Sequence, residues 1–90
     1  MENKKIKELR KKIDFIDKKI LQLLKERKKL AEKIIKIKIR KGIKITDKKR
    51  EKEIIERLIK QTKDKILKKY IPSIYKIIFK ISKEKFNKNI

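Results

Sequence analysis

The sequence contains no cysteine and no histidine. It therefore forms no disulfide, and cysteine usage leaves no trace of the redox compartment. Neither residue is available for proton transfer or nucleophilic attack. Chain breakers are almost missing, with one glycine and one proline, Gly42 and Pro72. Aromatic residues are too few for a base-stacking surface. No uncharged run approaches the roughly 18 residues that cross a membrane. The opening MENKKIKELRKK carries charge but no apolar stretch, so it does not read as a signal peptide. These absences lead to the expectation of a cytoplasmic protein that does not touch membrane. Acidic residues are scarce too: 12 Asp and Glu stand against 33 Lys and Arg, a net charge of +21.

That charge has two readings. One is a polyanionic partner such as nucleic acid. The other is codon composition, because lysine, isoleucine and asparagine share A/T-rich codons and the lysines are spread over every face. The second reading is preferred, and nucleic acid is not the expected partner. Either way the field steers small anions toward the protein. Ninety residues suffice for one domain over residues 1–90 with a thin core, so a second chain is expected to supply part of that core.

Apolar residues then organise the chain as all-α, with one long and two shorter helices. Ile6, Leu9, Ile13, Ile16, Ile20, Leu23, Leu30, Ile34 and Ile37 recur at alternating three- and four-residue steps between about Lys4 and Lys41. A helix of that length runs about 55 Å, more than a small globule can cover. Gly42 reads as its C-cap. Asp47 reads as the N-cap of a second helix over residues 48–65, with Ile54, Ile55, Leu58 and Ile59 as its stripe. Residues 63–69 read as a junction. Pro72 is expected in the first turn of a third helix, whose stripe is Ile74, Ile77, Ile78 and Ile81. The last residues, 83–90, are expected to fray.

Polar residues interrupt these stripes. Stepping by sevens gives Ile6, Ile13, Ile20, Arg27 and Ile34, so a guanidinium occupies the apolar seam. A buried guanidinium needs an anion; otherwise it snorkels to solvent or pairs with a nearby glutamate. Lys38 lies three turns on and on nearly the same face, so the two long side chains can converge on one small anion. Arg10 is about 25 Å from Arg27 along the axis and rotated by roughly 100°. It cannot serve the same site within one chain; it is a surface residue or serves a partner chain. Asp47 and Glu51 are one helical turn apart and continue the apolar face of the second helix, with Arg50 beside them. Taken singly, Asp47 is a cap and Glu51 an ordinary charge. Ser82 sits one turn after Ile78 on the third helix.

With LRKKIDFIDKKILQLLKERKKLAEKIIKIK, GIKITDKKRE and IYKIIFKIS in order, the sequence resembles the all-helical chorismate mutases. The resemblance implies an intertwined helical homodimer that converts chorismate to prephenate on the route to phenylalanine and tyrosine, with no cofactor and no metal. By that likeness Arg10 enters the partner's site and holds one substrate carboxylate, and Arg27 holds the other. Lys38 touches the ether oxygen. Asp47 and Glu51 lie near the substrate hydroxyl, with Arg50 beside them and Ser82 as a small polar residue of the third helix. The family's usual glutamine or protonated glutamate, four residues after the serine, is Phe86 here. Asn87 is its polar neighbour.

The implied reaction is pericyclic. No proton moves and no nucleophile acts, so the lack of histidine and cysteine is no handicap. Catalysis comes from holding a flexible dianion in its reactive shape and from stabilising charge that grows on the ether oxygen. A wall of Ile34, Ile54 and Phe79 is expected around it. The rival readings are a basic helical nucleic-acid binder and an inactive coiled-coil dimer. Neither gives a reason for Arg27 in the seam.

Overall fold

A computed structural model describes residues 3–89. Those residues form three α-helices and a terminal 3-10 turn, with no strand among them: α1 Lys4–Arg40, α2 Lys48–Gln61, α3 Lys65–Lys83, and the turn Glu84–Asn89. The molecule is elongated, 58 × 26 × 17 Å, because α1 alone spans about 55 Å.

Each helix boundary has a local cause. Asn3 caps α1, its side chain accepting from the amides of Lys5 and Ile6. At the other end Gly42 takes φ +68°, a conformation open to glycine at little cost. The Ile43 amide then reaches the Lys38 carbonyl (2.8 Å) and the Gly42 amide reaches Ile39 (3.2 Å). This paired closure is a Schellman turn. It reverses the chain within a few residues and delivers Asp47, whose carboxylate accepts from the Arg50 amide at 3.0 Å and caps α2.

The third helix starts earlier than Pro72, and the second ends before residue 65. Asp64 accepts from the amides of Ile66 and Leu67 (2.9 and 3.1 Å), while its own amide donates to the Thr62 hydroxyl. These side-chain bonds stop α2 at Gln61 and open α3 at Lys65. Pro72 therefore lies inside α3. It removes one amide from the helical ladder, and the packed face around it keeps the helix continuous.

The tail also differs from the expected frayed end. It tightens into the 3-10 turn, and Phe86 is buried, 7% exposed. The last residue, Ile90, falls outside the described residues.

On α2 the expected stripe packs, with Ile54, Ile55, Leu58 and Ile59 half-buried, whereas α1 and α3 turn other faces inward. Both α1 and α2 pack on α3; their backbones do not approach each other among the described residues. On α1 the face turned to α3 runs through Leu24, Arg27, Ala31, Ile35 and Lys38, and Ile35 is the buried member. On α3 it runs through Ile71, Tyr75, Ile78, Phe79, Ser82 and on to Phe86. Ile74, Ile77 and Ile81, expected as the inner stripe, are exposed apart from their neighbour Ile78. An isoleucine-rich helix offers two apolar faces, and the one bearing the aromatic rings turned inward. The apolar residues of the α1 seam from Ile6 to Ile37 are all exposed, while Arg27 among them is half-buried.

Candidate active site

The last turns of α1, the first turns of α2 and the end of α3 surround a cavity of about 120 Å³. Beside it lies a wider hollow of about 350 Å³ that shares Arg27, Ala31, Ile34, Arg50 and Ile54 with it. Together they reach the ~300–1,000 Å³ range of small-molecule sites. Ile34, Ile35, Ile45, Ile54 and Phe79 make the apolar wall. Arg27, Lys38, Asp47, Arg50, Glu51 and Ser82, singled out from the sequence, all line this one cavity.

Each position follows from local structure. Arg27, Ala31, Ile35 and Lys38 share the α3-facing side of α1, which carries both cations toward the cavity. Arg27 donates through Nη1 to the Ser82 hydroxyl at 3.1 Å. Its guanidinium lies 5.7 and 5.6 Å from the ring centres of Tyr75 and Phe79, within cation–π range. Ser82 is buried and donates in turn to the Ile78 carbonyl at 3.1 Å. Lys38 donates to the Ile45 carbonyl at 3.2 Å, across the Schellman turn. Thus the partners of Arg27 and Lys38 are neutral; among the described residues no carboxylate pairs with either.

The second helix supplies the acidic side. Asp47 both caps α2 and lines the cavity. Glu51 is ion-paired with Lys83, Nζ to Oε2 at 2.8 Å, and Lys83 also donates to the Thr46 hydroxyl at 3.2 Å. Arg50 stands 4.0 Å from Glu53, and both are half-exposed, so this pair holds it weakly. Four cations and two carboxylates line the cavity, an excess of two positive charges.

Three sequence-selected residues lie elsewhere. Arg10 is exposed on the first half of α1 and lines neither hollow of its own chain. Phe86 is buried beyond the cavity lining, and Asn87 is exposed, donating to Glu84 at 3.2 Å. Conversely, Lys83 and Tyr75 belong to the site and were not singled out. Lys83 had no signal in a chain crowded with lysine. Tyr75 could have been found as the residue one turn before Phe79, and the two rings do meet edge to face at 5.8 Å.

The family profile for chorismate mutase type II matches residues 9–85. The chain belongs to that family. Two relatives bear this out. A chorismate mutase of Methanocaldococcus jannaschii is 50% identical over 60 residues, which is 67% of this chain and 61% of that protein. The bifunctional chorismate mutase/prephenate dehydratase of Aquifex aeolicus is 48% identical over 59 residues, 66% of this chain and 16% of that protein. This chorismate mutase type II chain thus matches about three fifths of the first relative's length and a small part of the second's. No solved structure matches it at a significant level. No helix among the described residues is long and apolar enough to cross a membrane.

Proposed function

We propose that this chain rearranges chorismate to prephenate, a step toward phenylalanine and tyrosine, in the cytoplasm and within a single domain over residues 1–90. The observation that carries this reading is the cavity's charge. Its excess of two positive charges complements a dicarboxylate dianion, and Arg27 and Lys38 present their charge against neutral partners on an apolar wall. Against an apolar wall a cation acts more strongly than in bulk water.

The roles are those the family resemblance implies, and this geometry supports them. Arg27, fixed by Ser82 and the two rings, grips one carboxylate in a planar fork. Lys38 stabilises the charge that develops on the ether oxygen as the C–O bond breaks, an interaction stronger in the transition state than in the ground state. Asp47 and Glu51 accept from the substrate hydroxyl, and Arg50 completes the charged rim. No proton is transferred and no cofactor or metal enters. Phe86 and Asn87 take no direct part, so Lys38 carries the ether oxygen without the family's second donor.

The second carboxylate falls to Arg10 of a partner chain in an intertwined homodimer. Two quantities support a partner. The chain exposes 8436 Å², where a compact monomer of its length exposes about 5,600 Å². Its radius of gyration is 17.2 Å, against about 12 Å for a compact chain. The excess coincides with the uncovered seam of α1. Incubation with chorismate, followed by its loss of absorbance, tests the activity. Turnover well above the uncatalysed rate is expected, and its absence removes the reading.

A further inference from the structure

We propose that Lys83 is a positioning residue of this site, holding the Glu51 carboxylate by one oxygen so that the other faces a ligand hydroxyl and Lys38 stays clear of it. The inference rests on the mutase reading above. It starts from how the four cavity cations are partnered. Arg27 and Lys38 are held by neutral groups, and Arg50 only by a distant glutamate outside the cavity. Lys83 alone among the four makes a short ion pair inside it, at 2.8 Å.

That pair is not an ordinary surface contact. The Lys83 and Glu51 side chains are 20% and 27% exposed, so water competes weakly for them. Lys83 Nζ bonds Thr46 as well, in the loop between α1 and α2. One ammonium at the end of α3 therefore fixes a side chain on α2 relative to the loop that follows Lys38. Its bond goes to Oε2 of Glu51, leaving Oε1 for a ligand donor.

The alternative partners of Glu51 give the arrangement its consequence. Lys38 and Arg50 line the same cavity. With Lys83 neutralised, the Glu51 carboxylate is drawn to one of them. Capture of Lys38 takes the cation from the ether oxygen, which lowers turnover more than it weakens binding. Lys83 thus acts through Glu51.

The test compares wild type, K83M, K83R, E51Q and K83M/E51Q in chorismate turnover. K83M should lower kcat about tenfold with KM changed less than about threefold, and K83R should recover most of the loss. Because Lys83 works through Glu51, K83M/E51Q should be no slower than E51Q alone. Wild-type kcat in K83M removes the proposal. So does multiplication of the K83M and E51Q effects, which would mean that Lys83 meets the substrate itself. If K83M loses its helical circular dichroism, K83R decides alone: kcat within about threefold of wild type supports the role, and a tenfold loss removes it. A wild type without turnover removes the mutase reading and this role together, whereas an active wild type with an unaffected K83M removes this role only.

Discussion

A guanidinium on a packed helix face is costly unless something answers its charge. Arg27 meets a hydroxyl, two aromatic faces and an open cavity, so within the chain it is held in place but not neutralised. Lys38 is in the same condition. Both should therefore be dispensable for folding and indispensable for turnover. R27A and K38A are each expected to lose a hundredfold or more in kcat/KM, the usual cost of deleting one charged donor to a transition state. Denaturation midpoints close to wild type should accompany that loss. A variant that keeps near-wild-type kcat/KM would take its residue out of the site. At this scale the sequence was most legible where a residue broke a pattern. Arg27 stood out because isoleucines flank it at seven-residue steps. Lys83 broke nothing, being one lysine among many, and only the three-dimensional approach to Glu51 distinguishes it.

Elements were legible where their signals are local. The periodic run of α1, its Gly42 stop and the Asp47 cap of α2 each depend on neighbours within a few residues, and each appears in the fold. The start of α3 was misread because Pro72 drew the boundary to itself. The Asp64 cap and the Thr62 bond outweighed it, and proline inside a packed helix is tolerated when its face is covered. The burial of Phe86 and the choice of inner face on α3 are tertiary results, because two apolar faces recur along that helix and periodicity does not choose between them. Gly42 provides the prediction at this scale. A Cβ there would meet nothing within 4 Å, so the cost of G42A is conformational alone. It should destabilise the fold by about 1–2 kcal/mol. Chemical denaturation reads this directly, and Gly42→Asn should cost less than G42A. Because Lys38 lies just before this turn, G42A should also slow turnover.

The whole molecule is an extended helical frame that, among the described residues, leaves more large apolar side chains exposed than it buries. Sedimentation at micromolar concentration should find a dimer; a folded monomer there would remove the partner from the proposal. Mixing inactive variants is the sharper test. R10A and R27A should each be nearly inactive as homodimers. After chain exchange a heterodimer has one site lacking both arginines and one with both, so about half of its sites should work. No recovery, with exchange confirmed by mass, would remove the intertwined dimer and Arg10's part in the site while leaving the mutase reading standing. The charge of +21 should make binding of the dianion weaken as salt rises.

In this frame α1 and α2 each pack on α3, and their backbones do not approach one another among the described residues, yet the cavity draws one wall from each. A dianion held by Arg27 and Lys38 on one side and by the first turn of α2 on the other would act as a keystone, joining two arms that the chain leaves apart. Occupancy would then be felt as rigidity. At a hundred times its dissociation constant a ligand adds about 2.7 kcal/mol to the folded state. That gain should be concentrated in the amides of the first turns of α2 and the last turns of α1, whose hydrogen exchange should slow most when prephenate is bound, while the middle of α3 changes least.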